Sequence, residues 1–163
     1  MPTPDFILEL REKIGHALLW LPGATAVVLK GDHVLLGRRS DNGRWTPITG
    51  IVDPGEDPAV TAVRECQEET GVTCVVEGLA MVKAGREMEF PNGDRCTFLD
   101  HAFRCRWVSG DPVVNDDEST DVRWFPLNDL PEIREDLLER IAVAVEFDGR
   151  TRFVTDPDGT VSS

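Results

Sequence analysis

Three glutamates near the middle of the chain have the spacing of metal ligands on a helix. Glu65, Glu68 and Glu69 stand at positions i, i+3 and i+4, so a helix places their carboxylates on one face. Like charges at this spacing repel, and the end of a helix disfavours anions. A divalent cation would remove both penalties, and carboxylate oxygens suit Mg²⁺ or Mn²⁺. The alternative is a solvated acidic face in which Arg64 pairs with Glu68.

The segment that carries these glutamates has the strongest helix signals in the chain. Asp57 can cap a helix, Pro58 suits the first helical position, and Gly71 suits a left-handed stop. The predicted helix therefore runs from 58 to 70. Its apolar stripe consists of Ala59, Ala62, Val63 and Cys66.

Length and charge restrict the class of protein. The chain has 163 residues, which suits one domain, and its 17 basic and 30 acidic residues give a net charge of −13. This balance argues against binding duplex nucleic acid through its phosphates, but it is compatible with an anionic substrate held through a cation. Without a long apolar run or a basic leader, we expect a cytoplasmic protein that has no membrane contact and keeps its four cysteines as buried thiols.

The pattern along the rest of the chain predicts an α/β protein. Helical periodicity indicates helices over 5–14 and 132–147, besides the helix at 58–70. Strand patterns cover 24–30, 33–37, 72–90, 95–108 and 122–125, with Gly31-Asp32 as a tight hairpin turn. Helices that alternate with strands predict an α/β/α sandwich around a mixed sheet.

The spacing of the polar and glycine positions resembles the Nudix box, Gly-x5-Glu-x7-Arg-Glu-U-x-Glu-Glu-x-Gly-U, where U is a bulky aliphatic residue. The matching residues are Gly50, Glu56, Arg64, Glu65, Glu68, Glu69, Gly71 and Val72. Cys66 replaces the usual aliphatic residue, and Thr49 stands where a glycine is common before the box. The resemblance covers about 24–146. It implies a Nudix-type sandwich, which we place at 23–155. The predicted N-terminal helix and its lead-in (1–22) lie outside the resemblance, and we expect 156–163 to form a loose tail.

This resemblance implies Mg²⁺-dependent hydrolysis of a nucleoside diphosphate linked to another group, with Mn²⁺ as an alternative cation. The implied metal ligands are Glu56, Glu65, Glu68, Glu69 and the backbone carbonyl of Thr49. Glu65 is alternatively the base, Glu56 alternatively a partner of Arg64, and Arg64 would orient a glutamate of the helix. Glu118, in the acidic loop 115–121, is the further base or ligand, unless that loop is a solvated turn. Gly50 and Gly71 are interpreted as turn residues.

Substrate contacts are predicted just before the box. Arg38, Arg39 and Arg44 are candidates for phosphate binding, and Trp45 either stacks on a base or belongs to the core. Elimination of subfamily markers favours a MutT-like nucleoside triphosphate pyrophosphohydrolase. One such marker is a tyrosine after the box, and this chain contains no tyrosine.

Three alternatives stay open. The chain could act on ADP-ribose or a nucleotide sugar, sense a nucleotide without turnover, or be a domain stabilised by Ca²⁺. The expected partner is a small nucleotide and not a nucleic acid, and the N-terminal helix is a candidate contact for a homodimer.

Overall fold

A nine-stranded mixed sheet and three helices make up residues 3–158, the part of the chain that this computed structural model describes. The elements are α1 (Asp5–Ile14), β1 (Leu19–Lys30), β2 (His33–Arg39), β3 (Trp45–Thr46), β4 (Ile48–Ile51), α2 (Pro58–Thr70), β5 (Thr73–Ala84), β6 (Met88–Glu89), β7 (Arg95–Ser109), β8 (Ser119–Pro126), α3 (Glu135–Val145) and β9 (Arg152–Phe153).

Strand β1 organises the sheet. It pairs in parallel with β7 along most of its length, from Leu19 opposite Cys96 to Leu29 opposite Arg106. On its other side it pairs antiparallel with β4 and then, at its end, with β2. Residues 23–29 are all buried, as expected of a strand that is covered on both faces.

Helices cover opposite faces of this sheet. On one face, Ala62 and Cys66 of α2 pack against Ala24, Ala26 and other inward residues. On the other face, Leu137 and Ile141 of α3 pack with Val27. The α/β/α sandwich with a mixed sheet is therefore confirmed.

The observed boundaries show where local patterns were sufficient. Helix 5–14, helix 58–70 and the hairpin at 31–32 are confirmed. The last helix is shorter than predicted and begins at Glu135, and the strand predicted at 72–90 is divided into β5 and β6. Strands β3, β4 and β9 were not predicted, because they are too short to show a period. Asp57 precedes α2, but within the described residues its side chain makes no capping hydrogen bond.

The N-terminal lead-in belongs to the sheet. Strand β1 begins at Leu19 and crosses the predicted division after residue 22, because the lead-in pairs with β7. Ile7 of α1 packs against Leu21 of this lead-in. The predicted tail at 156–163 lies largely outside the described residues, which end at 158.

The burial of the cysteines and the character of the helices can both be compared with the sequence-based predictions. All four cysteines are buried and occur as free thiols in the described structure, as predicted. Among the helices of residues 3–158, none has the length and apolar character needed to span a membrane.

The core between the sheet and α2 is expected to control stability. Leu35 is 0% exposed and Leu18 is 47% exposed, so they form a matched pair. We predict that Leu35→Ala lowers the free energy of unfolding by about 2–5 kcal/mol, whereas Leu18→Ala changes it by less than about 0.5 kcal/mol. Urea denaturation measures both, and equal effects would contradict this assignment of the core.

Candidate active site

Helix α2 buries two of its glutamates and exposes the third. Glu65 is 2% exposed and Glu69 is 7% exposed, whereas Glu68 lies at the surface. One helical turn separates the two buried carboxylates, so they face the same side. The three carboxylates predicted to share one face of the helix therefore differ in burial, since Glu65 and Glu69 are buried and Glu68 is exposed.

Gly50 makes room for the Glu65 side chain. A Cβ atom at position 50 would lie 2.4 Å from Cγ of Glu65, which is far inside van der Waals contact. Gly50 lies in β4, opposite Ala24 of β1. The interpretation of Gly50 as a turn residue was therefore wrong, because its small size serves a close approach between strand and helix. Gly71, by contrast, ends α2 with φ at +69° in the left-handed region, as predicted.

Arg64 joins three carboxylates around the site. Its Nε and Nη2 atoms donate to the two oxygens of Glu56, at 2.8 and 2.9 Å. Its Nη1 atom donates to Glu65 Oε1 and to Glu68 Oε2, each at 3.0 Å. This forked geometry fits the predicted orienting role of Arg64.

Glu56 is held mainly by Arg64. Hydrogen bonds from the Arg64 guanidinium lower the pKa of Glu56 to about 2, and a hydrogen bond from the Thr61 hydroxyl adds to the shift. Two roles were predicted for Glu56, a partner of Arg64 and a metal ligand. This geometry supports the role as partner of Arg64, and the role as metal ligand stays a prediction.

The two buried carboxyls have unusually high proton affinities. Burial raises the pKa of Glu65 to about 7, although the charge of Arg64 opposes the shift. Burial also raises the pKa of Glu69 to about 8, and the nearby charges of Glu65 and Asp116 add to it. Ionising both groups together is therefore unfavourable unless a cation compensates.

The acidic loop before β8 completes a cluster around Glu69. Carboxylate oxygens of Glu69, Asp116 and Glu118 lie within 4.8 Å of one another. Glu118 was predicted, and the structure brings it to the helix. Asp116 was missed, although its position two residues before Glu118 in an acidic run was a usable signal. Three convergent carboxylates, one of them buried, fit a hard divalent cation.

Thr49 lies beside this region. It is half-buried in β4, next to Gly50 and opposite Thr25 of β1. The predicted ligand is its backbone carbonyl, and that role stays a prediction.

The predicted substrate residues divide into two groups. Arg38, Arg44 and Trp45 line one cleft of about 510 Å³. Arg39 is absent from the described lining of that cleft. Its guanidinium instead donates to both carboxylate oxygens of Asp41, at 2.9 and 2.6 Å.

Trp45 has features of both predicted roles. Its ring packs edge-on against Phe125 at 4.8 Å between centroids and contacts the core beneath α3. It also lines the cleft. A ring supported on one side in this way can offer its remaining surface to a ligand.

Arg134 was not predicted, since it lies far along the chain from the box. It lines the cleft of Arg38 and Arg44, and it also lines a second cleft of about 780 Å³ that includes Lys83, Arg86 and Phe98. Both clefts therefore border the residue that precedes α3.

Comparison with known proteins assigns the family. The NUDIX domain model matches residues 20–144, which is most of the chain, and this range contains the glutamate helix and the acidic loop. The chain therefore belongs to the NUDIX domain family, as its box predicted.

Individual relatives differ in their named activities. The chain is 34% identical over 114 residues to a Pseudomonas aeruginosa protein named NAD-capped RNA hydrolase NudC, a match covering 69% of this chain and 38% of that protein. This chain thus spans well under half the length of that relative.

Solved structures agree with the fold. A MutT NUDIX hydrolase from Burkholderia pseudomallei superposes with a TM-score of 0.58 at 26% identity, covering 76% of this chain and 97% of that one. An ADP-ribose pyrophosphatase from Streptococcus suis superposes with a TM-score of 0.60 at 21% identity, covering 82% and 96%. The second likeness shows the fold alone.

The close approach of Gly50 and Glu65 generates a first prediction for the site. We expect Gly50→Ala to lower the free energy of unfolding by about 1–3 kcal/mol, because the added methyl group collides with a buried side chain. Gly85→Ala is the matched control, since its Cβ would lie 3.5 Å from the Phe98 carbonyl oxygen, an ordinary contact. Urea denaturation compares the two, and a Gly50→Ala protein as stable as the control would contradict the described packing.

The raised carboxyl pKa values generate a second prediction. A carboxyl whose pKa is raised on folding stabilises the protein below its ordinary pKa of 4.5, and the contribution is lost as pH rises through about 7 and about 8. Without divalent cations, we expect the wild type to lose stability on the order of a few kcal/mol between pH 5 and 8.5, relative to a Glu65→Gln/Glu69→Gln variant. Denaturation with chelator at both pH values measures this difference. Parallel pH profiles would show that these groups do not titrate as described.

Proposed function

We propose that this chain is a pyrophosphohydrolase that uses a divalent cation to hydrolyse a nucleoside diphosphate linked to another group. The observation that carries the proposal is the convergence of Glu69, Asp116 and Glu118 beside a buried Glu65 that is hydrogen-bonded to Arg64. Such a site concentrates negative charge where an anionic substrate must approach. The family assignment supports the same reaction class.

The metal centre in this proposal consists of oxygen ligands. Glu69, Asp116 and Glu118 would hold a cation through the cluster described above. The further predicted ligands are Glu56, Glu65, Glu68 and the Thr49 carbonyl. Mg²⁺ is the preferred cation and Mn²⁺ the alternative, because both favour carboxylate oxygens. A cation bound there polarises phosphoryl oxygens and lowers the pKa of a bound water.

Arg64 would orient the Glu65 carboxylate, and Glu65 or Glu118 would accept a proton. Arg64 fixes Glu65 through its Nη1 atom, so the carboxylate has a defined direction. Burial raises the pKa of Glu65 to about 7 in the absence of a cation. A cation bound nearby would lower this pKa, so Glu65 would be ionised near neutral pH and able to act as a general base. Glu118 is the alternative base. A base at either position would accept the proton of the attacking water.

Substrate binding is assigned to the cleft of Arg38, Arg44 and Trp45. The two guanidinium groups offer forked donors for phosphate oxygens. Arg134 lies at the same cleft, with its guanidinium ion-paired to Asp136. Arg39, the remaining predicted phosphate contact, would bind the substrate from outside this cleft. These cationic side chains stand out in a chain whose net charge is −13. The first substrate candidate is a nucleoside triphosphate, which would yield a monophosphate and pyrophosphate.

A second candidate is a substrate with two large halves joined by the pyrophosphate. Arg134 borders two clefts, of about 510 and 780 Å³, and each is large enough for a small-molecule moiety. The relative named NAD-capped RNA hydrolase carries a two-part substrate in its name. ADP-ribose, nucleotide sugars and NAD-capped RNA share this chemistry, so the expectation of no nucleic-acid partner stays an open prediction, as do the homodimer and the cytoplasmic location.

A substrate panel tests the proposal. We predict that purified protein with Mg²⁺ splits at least one member of a panel of nucleoside triphosphates, ADP-ribose, nucleotide sugars, NAD and NAD-capped RNA. Glu69→Gln should lower that rate by at least about a hundredfold, since it removes one charged ligand, and chelator should abolish it. Glu12→Gln, a change at an exposed glutamate of α1, is the matched control.

The products separate the outcomes. Monophosphate plus pyrophosphate from a triphosphate supports the first candidate, and cleavage of the two-part compounds alone supports the second. Turnover that is unaffected by Glu69→Gln at full metal loading would contradict the proposed site. Absence of turnover across the panel, with ligand-induced stabilisation by the same compounds, would instead identify a nucleotide sensor.

A further inference from the structure

The loop between β7 and β8 (110–118), which contains the start of the acidic loop, is fastened to the end of helix α2 by backbone and side-chain hydrogen bonds. The last carbonyls of a helix have no partners within the helix. Here the Asn115 side-chain amide donates to the Glu68 carbonyl at 2.9 Å, and the Asn115 backbone N–H donates to the Glu69 carbonyl at 3.2 Å. The Val113 N–H donates to the Thr70 carbonyl at 2.9 Å. Three consecutive carbonyls of the helix therefore accept from one loop.

The loop also lies directly against the end of the helix. Gly110 has φ at +90°, and a Cβ atom there would lie 2.6 Å from the carbonyl oxygen of Gly71. The Trp107 indole N–H donates to the Gly110 carbonyl at 2.9 Å. The start of the loop is thus fixed where α2 ends.

The carboxylates of the cluster follow this attachment point immediately. Asp116 is the next residue after Asn115, and its Oδ1 atom accepts a hydrogen bond of 3.0 Å from the Glu118 N–H. The Glu118 carbonyl in turn accepts from the Ser40 N–H at 2.7 Å. The segment 115–118 is therefore held at α2 on one side and at the end of β2 on the other.

Charge alone would separate these elements. Glu69, Asp116 and Glu118 are all acidic, and the charge of Asp116 contributes to the raised pKa of Glu69. The carboxylates also lie at the negative end of the α2 dipole. Before a cation binds, something neutral must hold the loop in place, and an amide that donates to a helix carbonyl does so without adding charge.

We propose that Asn115 is a positioning residue of the metal centre. Its amide fixes the loop on the Glu68 carbonyl and so sets the separation between Glu69 and the pair Asp116 and Glu118. Its role in this proposal is to hold the loop, and the metal ligands are the three carboxylates. The inference rests on the proposed function, because it assumes that this cluster binds the metal.

Titration with Mn²⁺ tests this role without substrate. We expect Asn115→Ala in the full chain to weaken Mn²⁺ binding, measured by electron paramagnetic resonance of the free ion, by about tenfold. Asn128→Ala, at an exposed asparagine of another loop, should bind Mn²⁺ as the wild type does. The melting temperature of metal-free Asn115→Ala should stay within about 3 °C of the wild type, because the hydrogen bond is exposed.

A second measurement separates positioning from a general loss of structure. In Asn115→Ala, the Mg²⁺ concentration for half-maximal turnover should rise by about tenfold, while kcat at saturating Mg²⁺ stays within about twofold. A merely structural role would lower the melting temperature and leave the Mg²⁺ dependence unchanged, and that result would overturn the proposal.

Mn²⁺ binding by Glu69→Gln shows whether a negative result rules out the role of Asn115 or the metal centre itself. If Glu69→Gln loses Mn²⁺ binding while Asn115→Ala binds like the wild type, the role of Asn115 is wrong and the proposed metal centre stands. If both variants bind Mn²⁺ like the wild type, the cluster is not the metal centre, and the proposed function fails together with this inference.

Discussion

The burial of two carboxylates on one helix determines which residues can surround them in the site. Glu65 and Glu69 are placed where solvent cannot stabilise their charge, and their raised pKa values report this. Position 50 in β4 requires glycine, because the Glu65 side chain occupies the space that a side chain at position 50 would need. Arg64 offsets the charge of Glu65 from one side, whereas Asp116 and Glu118 add charge at the other. The site is thus balanced only partly by its own residues, and a divalent cation is the component that would complete it.

The sheet supplies the rigidity that this arrangement needs. Strand β1 is buried on both faces and pairs with β7, β4 and β2, so β4 has a fixed position under α2. Helix α3 closes the opposite face, and its N-terminal approach carries Arg134 to the clefts. Of the residues proposed to bind metal or substrate, Glu65, Glu69, Arg38 and Trp45 lie on helices or strands that the core holds in place. Arg44 and Arg134 lie just before such elements, and Asp116 and Glu118 lie in a loop. The loop that carries Asp116 is irregular, and hydrogen bonds to the end of α2 replace the support that a strand would give.

Local sequence patterns were sufficient for α2 because everything that defines it is local. Pro58 and Gly71 mark its ends, and the spacing of its glutamates follows from helical geometry. The pattern could not show that Glu68 would be exposed while its neighbours are buried, since burial depends on β4 and on the acidic loop. Asn115 was missed for the same reason, because the Glu68 carbonyl to which it donates belongs to a residue 47 positions away in the sequence. The acidic run pointed to the loop but did not show that Asp116 joins Glu118 in the cluster. No local pattern showed that Arg134 lines the cleft of Arg38 and Arg44. Gly50 was recognised but misinterpreted, because a close approach between a strand and a helix has no signature in the neighbouring residues.

Crystals soaked in Mn²⁺ would show whether Glu69, Asp116 and Glu118 hold a divalent cation. Anomalous diffraction at the manganese edge locates the ion independently of turnover and of substrate choice. We predict an anomalous peak bonded to carboxylate oxygens of Glu69 and of Asp116 or Glu118, at distances typical of a hard cation, about 2.0–2.6 Å. A Mn²⁺ ion bound elsewhere, with these three carboxylates free of it at millimolar metal, would contradict it.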